Sequence, residues 1–174
     1  VCKFPRWPFD KFTEANKTLG TRMKATGEVM SIGANFEAAL LKAVRSLELG
    51  YYSLDNPKYN RMTKDQLYAQ LTVKNDERLF CVCAALRKGV SVSLINEITT
   101  IDKWFLIKLK GIVELEEKVK AEGLGCLDKD FMRRLKRKGF ADRALAGWCG
   151  VSEGEIRRLR ESFGITPAYK MVDT

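Results

Sequence analysis

A mainly helical fold is what this sequence predicts, and three observations predict it. From Asn35 onward, apolar residues recur at intervals of three and four. Capping residues open these runs, and glycines follow them. Hydrophobic residues make up 45% of 174, enough to bury a core. The expected architecture is a multi-helix orthogonal bundle with two similar helical subdomains and a short β-containing N-terminal segment.

That segment covers residues 1–33. Pro5, Pro8, Gly20, Gly27 and Gly33 break it into short pieces. Glu28-Val29-Met30-Ser31-Ile32 alternates as a short strand does. Val1-Cys2-Lys3-Phe4 reads as another, ended by Pro5. Such a segment cannot form a core alone. It reads as the tail of a preceding α/β domain, with the helical domain over 34–174.

The helices follow in order. Asn35 is placed to cap a helix over residues 36–49, and Gly50 to stop it. Residues 51–62 hold Asn56-Pro57 and read as a loop. Thr63-Lys64-Asp65-Gln66 has capping-box spacing and opens a short helix to about Val73. Asp76 is the expected cap of the next, through Leu86, with Gly89 after it. Residues 101–121 form the longest periodic run, carried by Trp104, Phe105, Leu109, Ile112, Val113, Leu115 and Val119. Glu114, Glu116 and Glu117 among Lys118 and Lys120 read as its solvated face.

An internal repeat follows. Leu86-Arg87-Lys88-Gly89 aligns with Lys136-Arg137-Lys138-Gly139, and the offset of 50 continues without gaps. Ile95 meets Leu145, Ile101 meets Val151, and Leu106 meets Ile156. The pattern suggests a duplicated three-helix unit over 80–113 and 130–163. Because most matches are simply apolar to apolar, chance similarity remains the alternative.

Charge and cysteine usage bound the function. The net charge of +9 permits acidic partners without requiring them. The chain has no His, which removes imidazole as base or metal ligand. Five Cys in no disulfide spacing suggest a reduced, cytoplasmic setting, and Cys81 and Cys83 read as buried thiols. No stretch approaches the roughly 20 apolar residues of a membrane helix. A chain opening on Val1 and closing on Thr174 without a targeting motif is expected to be part of a longer protein.

Residues 140–163 have the outline of a DNA-binding helix-turn-helix, with Arg133, Arg134, Lys136, Arg137 and Lys138 just upstream. A recognition helix reads bases from its N-terminal turn. Here that turn carries Glu153, Gly154 and Glu155, which suit the helix dipole and repel phosphates. The first copy puts Trp104 and Phe105 at the equivalent positions. Three-helix packing is therefore the preferred reading, with Arg157, Arg158 and Arg160 on a solvated face or on a surface for acidic segments of a longer protein. A stand-alone DNA-binding protein is the runner-up.

Two strings bracket the chain: Met23-Lys24-Ala25-Thr26-Gly27-Glu28-Val29-Met30-Ser31-Ile32-Gly33 and Pro167-Ala168-Tyr169-Lys170-Met171-Val172-Asp173-Thr174. Between them lie Phe36-Glu37-Ala38-Ala39-Leu40, Ile101-Asp102-Lys103-Trp104-Phe105-Leu106 and Lys138-Gly139-Phe140-Ala141-Asp142. In this order they resemble the connecting domain of the carbamoyl-phosphate synthetase large subunit, usually called its oligomerisation domain. The resemblance covers nearly the whole chain. Ala34 departs from it, standing where the family usually has Arg.

The resemblance implies a non-catalytic scaffold between two ATP-grasp halves, with residues 1–33 ending the carboxyphosphate domain. It implies a parent ligase that makes carbamoyl phosphate, for arginine and pyrimidine synthesis, from bicarbonate, glutamine-derived ammonia and two ATP. The parent's ATP and Mg2+ (or Mn2+) sites would lie outside this chain, and no catalytic, cofactor or metal residue is assigned within it. Implied partners are the flanking ATP-grasp domains, a small glutaminase subunit and further copies; neither membrane nor nucleic acid is implied. Two residues carry roles over. Glu28 matches an acidic residue beside the carbamate tunnel; its alternative is a strand-holding ion pair. Leu67 matches an apolar residue at the oligomer interface; its alternative is burial in the domain's own core.

Overall fold

The computed structural model describes residues 1–25 and 27–172. Thr26 of the first bracketing string, and Asp173 and Thr174 of the second, lie outside the described residues. Two antiparallel strands, β1 (Cys2–Arg6) and β2 (Gly27–Ser31), come first. Then follow α1 (Phe36–Ser46), α2 (Pro57–Asn60), α3 (Lys64–Leu71), α4 (Arg78–Arg87) and α5 (Val92–Thr99). A long α6 (Lys103–Glu122), a 3-10 turn at Gly123–Cys126, α7 (Lys129–Arg137), α8 (Asp142–Cys149) and α9 (Glu153–Ser162) complete the described chain.

Local chemistry explains most boundaries. The Asn35 side chain accepts a hydrogen bond from Ala38 N at 2.9 Å and starts α1. Both halves of the Thr63–Gln66 capping box form at α3. β1 continues through Pro5, paired with Glu28, to Arg6. Both strands of a two-stranded sheet are edges, where a missing N–H is tolerated.

Three expectations are corrected here. α1 stops at Ser46, because the chain turns through a left-handed Glu48 (φ 56°) before Gly50 (φ 80°). The 51–62 stretch contains α2, which Asn56 caps by accepting from Lys58 N at 3.0 Å and Pro57 begins. Asp76 does not cap α4: Glu77 occupies that position, with no side-chain cap bond. Asp76 Oδ1 instead lies buried without a hydrogen-bond partner.

The core is built around α4. Every residue from Phe80 to Leu86 is buried, including the Cys81 and Cys83 thiols. Burial pushes the Cys81 thiol up to about 11, so it is an inert apolar group at neutral pH. α3 and α6 pack on it, α6 through Leu106, Leu109, Ile112, Val113, Leu115 and Val119.

Helix starts recur 50 residues apart: Val92 with Asp142, and Lys103 with Glu153. So do the turns, since Val90 N donates to Ala85 O at 3.0 Å and Phe140 N to Leu135 O at 3.1 Å. The preceding glycines, Gly89 (φ 76°) and Gly139 (φ 89°), take the left-handed conformation that this helix-ending bond pattern requires.

The β-hairpin and the second helical unit both meet α1. Ser31 Oγ donates to Ala39 O at 2.5 Å, and Asn35 Nδ2 to Arg137 O at 3.0 Å. The approach is close on both sides. A Cβ on Gly33 would lie 2.6 Å from Ala39 N, and one on Gly139 would lie 2.7 Å from Ala38 Cα.

Leu67 is 0% exposed, and Cys81 Sγ lies 3.8 Å from its carbonyl oxygen. The side chain packs in the protein's own core cluster, where α3 meets α4. Leu67→Glu is therefore expected to unfold the protein rather than only separate copies. The cost of the buried charge should exceed about 3 kcal/mol. Circular dichroism with urea unfolding checks this; a stable, fully helical variant of smaller mass would restore the interface role.

Candidate functional site

Three surfaces hold candidate functional groups. The first is the outer face of the hairpin. Val29 and Ser31 turn towards α1, leaving Glu28 and Met30 outward. Glu28 Oε2 forms an ion pair with Lys3 Nζ at 2.8 Å, both side chains more than half exposed at 57% and 64%. The strand-holding partner is thus present, diagonally across the ladder. An exposed pair of this kind contributes roughly 0–1 kcal/mol.

The second is an aromatic ridge at one end of α6. Asp102 accepts from Trp104 N at 2.7 Å and opens the helix, placing Trp104 and Phe105 in its first turn. Both pack on Phe36, at 5.3 and 5.5 Å between ring centroids, and on each other at 5.0 Å edge-to-face. Lys108 Nζ lies 5.4 Å above the Trp104 ring. The ridge stays half-open: Trp104 is 50% exposed, Phe105 44% and neighbouring Ile107 59%. The periodic run includes Trp104 and Phe105 and leaves open whether they are core or contact residues. They sit one step ahead of the buried line that begins at Leu106, on the exposed side. Phe36 and Ile107 belong to the same surface and carried no signal of their own, since Phe36 comes from another helix.

The third is the helix-turn-helix-like region. Glu155 is held in its capping box, accepting from Ser152 N at 2.8 Å. Glu153 lies 3.7 Å from Arg157. The first turn of α9 thus presents acids where a base-reading helix needs donors. Arg157 and Arg158 are exposed, as expected, but Arg160 is not: it is 7% exposed. Arg160 Nε donates to Asp142 Oδ2 at 3.1 Å, and Nη1 to Ile165 O at 2.5 Å. Lys136 Nζ donates to Asp142 Oδ1 at 2.8 Å and to Phe140 O at 2.6 Å. Lys138 Nζ reaches Glu37 at 2.7 Å. Much of the basic run is therefore spent on internal bonds.

A second solvated-face expectation also fails. Glu116 is 0% exposed and ion-paired with Arg87. It lies three residues beyond Val113, on the buried line of α6, so helical spacing carried the signal.

Among the described residues, no group of three His, Cys, Asp or Glu side chains is placed to hold a metal ion. No described helix is long and apolar enough to cross a membrane.

Residues 28–164 match the family described as carbamoyl-phosphate synthetase large chain, oligomerisation domain. The chain belongs to this family. The match begins at Glu28 in β2 and ends just after α9. Relatives named carbamoyl phosphate synthase large chain align along the whole chain. The one from Clostridium botulinum (strain Alaska E43 / Type E3) is 49% identical over 174 residues. Those from Clostridium perfringens (strain 13 / Type A) and Caldanaerobacter subterraneus subsp. tengcongensis are each 47% identical. In each case the aligned stretch is 100% of this chain and 16% of the relative, so this chain spans about a sixth of their length. Membership in an oligomerisation-domain family replaces the DNA-binding alternative, which nothing in the α9 geometry favours.

Asp142 supplies a pH test. Burial opposes its ionisation, but the Lys136 ammonium and Arg160 guanidinium outweigh burial and hold the carboxyl below the usual range. A lowered native pKa contributes stability in full above the unfolded value of about 3.9, and loses it as pH falls through the native value. Asp142→Asn should cost about 1–3 kcal/mol at pH 7, and the gap should close as pH falls below about 4. Urea unfolding of both proteins at several pH values checks this; a pH-independent gap would contradict it.

Proposed function

We propose that this chain is the connecting and self-association segment of a larger ATP-dependent ligase, and has no catalytic activity itself. The ligase would make carbamoyl phosphate from bicarbonate, glutamine-derived ammonia and two ATP, in the cytoplasm. Residues 1–33 would finish the preceding ATP-grasp domain and 34–174 would form the connector. Partners would be the flanking domains, a small glutaminase subunit and further copies of the large chain. ATP and Mg2+ would be held by the rest of the ligase: with no His and no clustered carboxylates or thiols among the described residues, this chain's donor set does not suit a metal. The names of the relatives support the reading, as does the domain family.

The observation that carries the scaffold role is the half-open ridge of Phe36, Trp104, Phe105 and Ile107. Contiguous exposed aromatics mark contact surfaces, and aromatic residues dominate such contacts. With Leu67 in the core, the ridge is the face best suited to a second copy. Phe105→Glu should lower the oligomeric mass in light scattering while helical content is retained. Unchanged mass would remove the ridge from self-association and leave it to a flanking domain of the same polypeptide.

Glu28 lies on the outward face of the hairpin, free to border a tunnel completed by other parts of the ligase. Shielding matters because carbamate is lost in water. Glu28→Ala in the intact ligase should raise ATP consumed per carbamoyl phosphate formed, with domain stability changed by no more than about 1 kcal/mol. An unchanged ratio would assign Glu28 to strand pairing alone.

A further inference from the structure

A groove of about 690 Å³ lies between α7, α9 and the stretch after Gly164. Its lining is unusual in charge. Arg133, Lys136, Arg137 and Arg160 face it, and Asp142 is the one carboxylate among its lining residues. Asp142 already accepts from both Lys136 and Arg160, so the floor is bonded internally. Arg133 and Arg137 are not: among the described residues, no carboxylate lies within 4.0 Å of either guanidinium. They are four residues apart on α7, hence on one face of the helix. Arg45 adds a further positive charge behind the groove, anchored by donation from Nη1 to Gly139 O at 2.8 Å.

The helix dipole favours basic residues in the last turn of α7. It does not account for their meeting Arg160 from another helix around one cavity. Burial, with smaller contributions from the Arg160 and Arg45 charges and against the opposing pull of Asp142, leaves Lys136 below the usual ammonium range. Four cations line the groove against Asp142, and Glu161 lies 3.9 Å from Arg160, which leaves an excess of two positive charges around a concave space. A dianionic or trianionic group would offset this; a single carboxylate would not. Guanidinium forks match phosphate oxygens in pairs, and an anchored ammonium and guanidinium are pre-positioned beneath them. The volume exceeds one phosphate and falls in the range of small-molecule sites. Ile165, Pro167 and Ala168 give the groove an apolar wall beside the charged one.

We propose that this groove is a binding site for a phosphate-bearing small molecule, with Arg133 and Arg137 as its outer clamps and Lys136 and Arg160 as its internally bonded floor. The proposal is independent of how the ligase assembles and of the tunnel. Arg133 and Arg137 make no internal side-chain bond among the described residues, so replacing them should leave the fold intact.

The test is calorimetric titration and thermal melting of the 174-residue protein with inorganic phosphate and with pyrophosphate, against sodium chloride at equal ionic strength. Saturable binding of pyrophosphate, tighter than of phosphate, with a rise in melting temperature that chloride does not reproduce, is the expected result. Arg133→Gln/Arg137→Gln should weaken pyrophosphate binding by at least about tenfold, its melting temperature without ligand staying at the wild-type value. Stabilisation by chloride equal to that by phosphate would overturn the site, as would undiminished binding in the double variant. Tighter binding of a short DNA duplex than of pyrophosphate, lost in the same variant, would overturn the small-molecule assignment in favour of nucleic acid.

Discussion

The buried pair between Arg87 and Glu116 is the constraint around which the helices are arranged. Arg87 ends α4, the most enclosed helix, and Glu116 lies on the buried line of α6 with no exposed surface. The same guanidinium donates to Leu54 O at 3.0 Å and to Asn60 Oδ1 at 3.3 Å. One cation thus joins two helices and the irregular 54–60 stretch. Lys120, one turn further along α6, reaches Asp55 at 2.8 Å and fastens the same stretch again. Two buried charges carry a large desolvation cost, offset only while both partners and their hydrogen bonds are present. Losing either partner leaves an unpaired charge at the centre of the molecule.

The second constraint is the junction at the start of α1. Gly33 and Gly139 press on Ala39 and Ala38, and neither position has room for a side chain. Arg45 and Asn35 bond across to the 137–139 backbone, while Glu37 is held by Lys138. The β-hairpin, α1 and the α7–α8 turn are consequently held together at one point.

The two three-helix stretches share turn geometry and differ in what they present. Position for position, Arg87 in the core corresponds to Arg137 at the groove, and Trp104 and Phe105 on the ridge correspond to Gly154 and Glu155. Similar backbones therefore support an apolar contact surface at one end and a charged cavity at the other. Function resides in the side chains mounted on the scaffold.

Much of the scaffold was legible along the chain because it depends on interactions within a few residues. Asn35, Thr63, Ser152 and Gly139 act on backbone groups one to five positions away, and the 50-residue offset between helix starts follows from those caps and turns. The family was legible because its short strings keep their order along the chain. The fate of individual charged and apolar side chains was legible only in part, even where helical spacing carried a signal. Glu116 and Glu117 are adjacent acids in one helix, yet one is enclosed and the other 47% exposed. Arg158 and Arg160 differ in the same way, and Leu67, which the resemblance matched to an interface residue, has the surroundings of a core one. Helical periodicity says that a face exists; only the helices packed against it decide which face is buried and which cation finds a carboxylate. By itself the sequence determined caps, turns, helix order and family, because their partners are local. The tertiary structure alone decided the core, the ridge and the groove, because their partners lie tens of residues away.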